Sequence, residues 1–416
     1  MRRHPAITAL TPRLRGWDHT TVRALNEAVI SLDSHHDHPP HDDADLGLYI
    51  HVPFCVSKCA YCAFSSMAGG ARLMEPYVAA VLREIDARAR TERMVSSLYL
   101  GGGTPSLLPP TAVATLVRHC RRAFPFTPDA ELTIEANPET VTPERVNAWL
   151  EAGITRVSMG IQSLDDQELL SLNRPHTAGR AVAAFRAIRA AGVRNINVDL
   201  LYGLPGQTVE AWRNTIRVAL DLASEHLSAY ALIPESGTPI GSAVSEGRLA
   251  LPLDDVVMAY EDVLHEALSP SGLTRYEISN YAKPGFACRH NMLYWRCDDW
   301  LGFGASAHSH VQGQRWWNRF EATDYIQGID RGDVVAGREE LTLDQRLGET
   351  LAFGLRMVHG LPRRLFVERF GRDAWTARND ELTRLLDHGL LEDTPQTIRL
   401  TTRGLAFADS AAALLI

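Results

Sequence analysis

From Leu48 onward, short runs of β-branched and aromatic residues alternate with longer stretches in which apolar residues recur every three or four positions. The short runs predict strands at Leu48–Val52, Ser97–Leu100, Glu131–Ile134, Arg156–Met159, Asn195–Leu200 and Leu227–Leu232. The stretches between them predict amphipathic helices at Pro76–Ala89, Pro110–Phe124, Pro143–Ala152, Ala178–Ala191 and Thr208–Leu222. Gly153, Gly192 and Gly272 stand where a helix C-terminus needs a left-handed residue. Six βα units in succession predict a parallel α/β sheet with right-handed crossovers, either an open barrel or a doubly wound sheet.

The pattern then changes. A helix is expected at Asp254–Leu268 and a strand at Arg275–Ile278, followed by a loop-rich stretch from Asn280 to Trp317. Helices follow at Leu343–His359, Pro362–Phe370 and Asp373–His388, and Leu390–Thr402 reads as a β-hairpin. Helices ahead of such a hairpin predict a small winged-helix-like C-terminal domain. Residues 1–46 look peripheral, with a His- and Asp-rich linker at Ser34–Asp45.

Composition narrows the class. The chain has 416 residues, 45% hydrophobic and 22% charged, as expected of a folded globular protein. A net charge of −8 argues against a nucleic-acid partner held by phosphate neutralisation. No apolar run approaches the roughly 18–20 residues of a membrane span. Met1–Gly16 carries four arginines without an apolar core, which is unlike a secretory signal. The expected location is therefore the cytoplasm, where clustered cysteines serve as metal ligands more often than as disulfides.

Three of the six cysteines, Cys55, Cys59 and Cys62, form CxxxCxxC just after the first predicted strand. Three thiolates on one short loop can bind three irons of a [4Fe–4S] cluster and leave the fourth iron open. An open iron can chelate the amino and carboxylate groups of S-adenosylmethionine (SAM), and an electron from the cluster can then cleave a carbon–sulfur bond. The competing reading is a structural zinc site whose fourth ligand lies elsewhere. A CxxC redox pair would leave Cys55 unexplained.

Gly101-Gly102-Gly103-Thr104-Pro105 follows the second strand, and such a run lets backbone approach a ligand closely. Alone it is equally well a tight βα turn. Glu135 ends the third strand, where a carboxylate could accept hydrogen bonds from ribose hydroxyls. Gln162 ends the fourth, with Arg174 twelve residues later; Asp199 ends the fifth and Ile233 the sixth. In a parallel α/β barrel these strand ends share one face, which is where active sites form.

YIHVPFCVSKCAYCAF, GGGTPSLL, IEANPE, GIQS, LYGLPGQT, YEISNYA and CRHNMLYW together resemble the HemN/HemW group of radical SAM proteins, from about Tyr49 to the C-terminus. The resemblance implies a partial (β/α)6 barrel over 47–320 and a HemN-type C-terminal domain over 321–416. It implies SAM contacts at Tyr49, Tyr61, Gly102, Gly103, Thr104, Glu135, Gln162, Arg174, Asp199 and Ile233. Within the group, oxygen-independent coproporphyrinogen III dehydrogenases carry a fourth cysteine two residues after the third; here that position is Phe64. Phe64 and the HNxxYW motif at His290–Trp295 match the heme-chaperone members instead. The implied function is to bind heme and pass it to an acceptor protein, with an electron donor such as a flavodoxin or ferredoxin. The dehydrogenase activity is the alternative. His290 would be an axial heme ligand, and Tyr294 and Trp295 an aromatic wall. Cys288 and His308 are lesser candidates, whereas Cys120, Cys297 and Trp316–Trp317 read as structural.

Overall fold

The structure, a computed structural model, describes residues 46–89 and 91–416. The N-terminal extension and its His/Asp-rich linker lie outside the described residues, apart from Leu46, which already opens the first strand. The described residues form two compact units, 46–294 with 298–340 and 295–297 with 341–416.

In the larger unit the six expected strands are β1 (Leu46–Val52), β2 (Val95–Gly102), β3 (Phe126–Ala136), β4 (Arg156–Gln162), β5 (Asn195–Tyr202) and β6 (His226–Ala231). They pair in that order, every neighbour parallel. The crossovers are α1 (Ala71–Arg88), α2 (Pro110–Ala123), α3 (Pro143–Ala152), α4 (Ala178–Ala190) and α5 (Val209–Asp221), with α6 (Asp254–Leu268) after β6. This is the partial (β/α)6 architecture. α1 begins five residues ahead of its expected start because Pro76 sits inside the helix rather than at its first turn.

The stretch read as loop-rich is largely regular, which corrects the expectation. It holds β8 (Asn280–Ala282), α7 (Arg289–Trp295), β9 (Trp300–Phe303), β10 (His308–Val311) and β11 (Gln314–Asn318). These elements are three to seven residues long, too short for a period to show. With β7 (Thr274–Glu277) and β12 (Val335–Glu340) they extend the sheet to twelve strands, in the order β12-β11-β10-β9-β1-β2-β3-β4-β5-β6-β8-β7. β9 joins β1 in parallel, and the remaining additions are antiparallel.

By contact, residues 321–340 belong to the larger unit. A buried carboxylate on α1 holds part of this stretch. Glu84 accepts from Tyr325 Oη on α8 (Ala322–Arg331) at 2.6 Å, from Asn318 Nδ2 at 2.7 Å and from Gly304 N at 2.8 Å. Those bonds tie α8 and the approach to β12 into the barrel unit. The smaller unit has α9 (Leu343–Gly354), further short helices and a three-stranded sheet of β13 (Leu361–Pro362), β15 (Thr397–Leu400) and β14 (Leu391–Asp393). The helix expected over Asp373–His388 is two, broken at Arg378, whose φ of −142° is not helical. Among the described residues no helix is long and apolar enough to cross a membrane.

Strand alternation decides what the barrel holds. Leu48 and Ile50 of β1, Leu98 and Leu100 of β2, Leu132 and Ile134 of β3, Val157 and Met159 of β4 and Ile196 and Val198 of β5 pack in the core. The intervening residues line the opposite, inner face: Tyr49 and His51; Ser97 and Tyr99; Glu131, Thr133 and Glu135; Arg156 and Ser158; Asn195, Asn197 and Asp199; His226 and Ser228. Unlike the packed apolar interior of a closed eight-stranded barrel, this inner face is polar. Asn197 donates to Ser158 Oγ (2.8 Å), and His226 Nδ1 bonds Asn197 Oδ1 (2.6 Å).

Candidate cluster and cofactor site

The cysteines lie where the chain leaves β1. Phe54–Cys55 and Met67–Ala68 form a two-residue parallel pair, so the intervening segment returns as a compact loop. Four bonds hold it: His51 Nε2 to Ser65 O (2.8 Å), Ala60 N to Leu172 O (3.0 Å), Asn173 Nδ2 to Lys58 O (2.9 Å) and Ile240 N to Ala60 O (3.0 Å). Cys55, Cys59 and Cys62 are half-buried free thiols. Burial pushes Cys62 up to about 11 and raises Cys55, so these thiols ionise readily only when a cation or metal compensates them. A cation is at hand: Arg174 Nη1 donates to Cys59 Sγ at 3.3 Å, and Thr104 Oγ1 donates to Cys55 Sγ at 3.5 Å.

The glycine run passes directly against this loop. A Cβ on Gly103 would lie 2.9 Å from the carbonyl oxygens of Val52 and Phe54 and 3.0 Å from Cys55 Sγ. Gly102 has φ 110°, and a Cβ there would strike the His51 ring at 2.5 Å. Its N–H donates to Glu135 Oε2 (2.9 Å) while Tyr99 Oη donates to Glu135 Oε1 (2.9 Å). Burial raises Glu135 to about 7, against the pull of those two donors. Arg174 Nη2 donates to Asn137 Oδ1 (2.8 Å), and Asn137 Nδ2 donates to Thr104 Oγ1 (3.0 Å). The Arg174 Nε is buried without a partner, leaving a cation edge open. Gln162 adopts φ 70°, a strained setting for a residue with a side chain, of the kind that clusters at functional sites. Asp199 accepts from Asn197 Nδ2 (2.8 Å) and Ser158 Oγ (3.1 Å), and burial raises it.

These residues fit a cluster with a chelated ligand. A cluster presents each thiolate with its own iron, so its ligands need not converge on one point. Among the described residues no three His, Cys, Asp or Glu side chains gather around one point.

The expected residues are thus brought together in part. Cys55, Cys59, Cys62, Gly102, Gly103, Thr104, Glu135 and Arg174 form one bonded group. Tyr61 belongs with it through the charges of Arg174 and Cys59, and burial raises its hydroxyl. Ile233 is half-buried just past β6. Tyr49 lies lower on the inner face, its hydroxyl 3.0 Å from His51 Nδ1, and so reaches the cysteine loop through His51. Sequence reasoning missed His51, Tyr99, Asn137 and Gly160. The first two were readable from alternation in LYIHV and SLYL. Gly160 matters because a Cβ there would meet Asn137 Oδ1 at 2.9 Å and Arg174 Nη2 at 3.3 Å.

The HNxxYW segment sits elsewhere. His290 on α7 is buried, its Nδ1 2.8 Å from Ser97 Oγ and its Nε2 2.9 Å from Tyr294 Oη. Its ring stacks on Tyr99 and Tyr49, with centroids 5.2 and 6.3 Å away. Ser97 lies five residues before Gly102 on β2, about 16 Å along the strand. Both ring nitrogens are thus engaged in hydrogen bonds in this conformation. Tyr294 meets Trp300 edge-on at 4.7 Å, while Trp295 in the smaller unit stacks near Phe353 at 6.4 Å beneath the Arg356 guanidinium. Cys288 is fully buried against Glu131 Oε1 at 3.5 Å. His308 stacks on Trp317 at 5.6 Å, and burial lowers it to about 4.

Comparison with known proteins agrees with this layout. Residues 49–219 match the radical SAM superfamily and residues 341–407 the HemN C-terminal domain. The chain is 36% identical over 377 residues to the heme chaperone HemW of Mycobacterium tuberculosis, covering 89% of this chain and 95% of that protein. It is 34% identical to the heme chaperone HemW of Escherichia coli, over 89% and 98% of the two chains. The solved structure of coproporphyrinogen III oxidase (HemN) from Escherichia coli, a radical SAM enzyme, shares the fold, with a TM-score of 0.78 and 23% identity over 90% of this chain and 91% of that one.

Proposed function

We propose, from the premise that this chain belongs to the HemW family of radical SAM proteins, that it is a heme chaperone which binds heme and hands it to an acceptor protein. The observation that carries this reading is the likeness to heme chaperones along nearly their whole length, with Phe64 at the position where the dehydrogenase pattern has a fourth cysteine.

In this reading Cys55, Cys59 and Cys62 hold a [4Fe–4S] cluster, and the glycine loop, Glu135, Gln162, Arg174 and Asp199 hold SAM. Such a cluster, when bound, supplies an electron that can cleave a carbon–sulfur bond of SAM. The chain's own residues do the positioning. Arg174 places positive charge beside Cys59 and offers its Nε edge to the ligand. Glu135, locked by Tyr99 and Gly102, turns its remaining lone pairs to ribose hydroxyls. Gly103 keeps the backbone clear of Cys55 Sγ.

Heme contact through His290, Tyr294 and Trp295 belongs to the same proposal and requires His290 to leave Ser97 and Tyr294. A flavodoxin or ferredoxin would reduce the cluster, and the cytoplasm is the proposed location. The test is anaerobic reconstitution followed by heme titration, comparing the parent with His290→Ala. A saturable Soret band that the variant loses supports the reading. No band in cluster-loaded protein, or conversion of coproporphyrinogen III to protoporphyrinogen with reductant and SAM, overturns it.

A further inference from the structure

The six strands β1–β6 carry a single Arg or Lys, and it is buried on the inner face. Arg156, the first residue of β4, is 1% exposed, and its Nε and Nη1 are enclosed without a hydrogen-bond partner. Its register neighbours share the condition. Thr133 lies opposite it on β3 and Asn195 on β5. Thr133 is fully buried with an unmet Oγ1, and the Asn195 Oδ1 is enclosed and unmet. Three adjacent strands therefore leave polar atoms unsatisfied on one rung. The rung above it, Glu135–Ser158–Asn197, is bonded throughout.

A guanidinium cannot shed its proton, so its enclosed N–H groups stay donors, and leaving them unmet is unfavourable. Glu131 nearby favours the charge of Arg156, but no carboxylate meets Nε or Nη1, because each is bonded elsewhere. Glu131 Oε1 accepts from Arg289 N (3.0 Å) and His290 N (3.5 Å) at the start of α7. Glu135 accepts from Tyr99 and Gly102, and Asp199 from Ser158 and Asn197. Buried polar groups in folded proteins are met by a partner, and here the chain does not supply one. A planar guanidinium with open donors beside the Thr133 hydroxyl matches the oxygens of a carboxylate, and the unmet Asn195 Oδ1 can accept from the hydroxyl of the acid form.

We propose that Thr133, Arg156 and Asn195 form a carboxylate-binding site inside the barrel, one polar rung (about 7 Å) below the residues that would hold SAM. Two kinds of ligand carry this group: a free short-chain carboxylic acid, and a tetrapyrrole with propionate arms. The second rests on the heme reading above; the first does not.

Titration calorimetry of the anaerobic, cluster-loaded protein with sodium propionate, against chloride at equal ionic strength, tests the site. Crystals soaked in 3-bromopropionate locate it through bromine anomalous signal. The expected result is saturable binding, bromine beside Arg156, and at least tenfold weaker binding in Arg156→Gln. Thr133→Val, which keeps the charge and the volume, should weaken it less and guards against a variant that fails to fold. Heme and its dimethyl ester separate the sources. A tenfold loss on esterification that Arg156→Gln removes assigns the site to a propionate arm, whereas equal binding of both with intact propionate binding assigns it to a free acid. If heme does not bind at all, the chaperone reading fails while the propionate result still decides the rung. Absence of propionate binding in solution, or bromine elsewhere or present as an adventitious additive only, overturns the proposal.

Discussion

Tyr99 lies against His290 with ring centroids 5.2 Å apart and planes 27° apart, and its hydroxyl donates to Glu135 at 2.9 Å. One tyrosine thus joins the base of the barrel, closed by α7, to the carboxylate that holds the Gly102 backbone. Tyr99→Phe keeps the stack and removes only the donor. SAM affinity should fall about five- to tenfold, the worth of one hydrogen bond to a carboxylate (~1–1.5 kcal/mol). Equilibrium dialysis of the cluster-loaded variant measures this, and unchanged affinity would mean that Tyr99 does not position Glu135.

SAM binding should depend on pH through Glu135. Burial raises its value from 4.5 to about 7, so a neutral solution contains both forms. Accepting ribose hydroxyls favours the carboxylate, so affinity should rise about tenfold between pH 6 and 8 and level off above. Stability without ligand moves the other way. A carboxyl whose folded value exceeds its unfolded one stabilises fully below 4.5, and that contribution is lost as pH rises through about 7. Binding titrations across this range check the first statement, and Glu135→Gln should flatten the profile.

The six barrel strands were readable to within two residues at nearly every end, because each is a short apolar run bounded by turns. Their C-terminal ends pointed to Glu135, Gln162 and Asp199 for the same reason. What stayed hidden was the inner face. Thr133, Arg156 and Asn195 look unremarkable singly, and only the register of β3, β4 and β5 shows that they share a rung. The partners of His290 stayed hidden too, because Ser97 and Tyr294, 193 and 4 residues away in sequence, engage its nitrogens. The bonds to Glu84 were hidden as well, because they come from residues more than 200 positions distant.

Glu84 should matter for stability. It is 2% exposed and bonded to Tyr325, Asn318 and Gly304, with Arg88 at 2.9 Å. Removing one side of such a buried network costs about 3–5 kcal/mol. Glu84→Ala should lower the urea midpoint of the barrel unit accordingly, and a loss below about 1 kcal/mol would contradict the role assigned to it.

Gly103→Ala should block cluster loading. Its Cβ would stand 2.9 Å from the Val52 and Phe54 carbonyls and 3.0 Å from Cys55 Sγ, and moving them would displace the end of β1 and the start of the cysteine loop. Iron content after reconstitution should drop at least severalfold while circular dichroism stays close to that of the parent. Full iron loading in the variant would show that the glycine loop does not press on the cysteine loop.

What the three thiols hold decides the chemistry of the site. Iron and acid-labile sulfide, assayed together on protein prepared and reconstituted without oxygen, should both approach about four per chain. Both should vanish when Cys55, Cys59 and Cys62 are replaced by alanine. Zinc in place of iron, or iron without labile sulfide, would contradict the iron–sulfur reading.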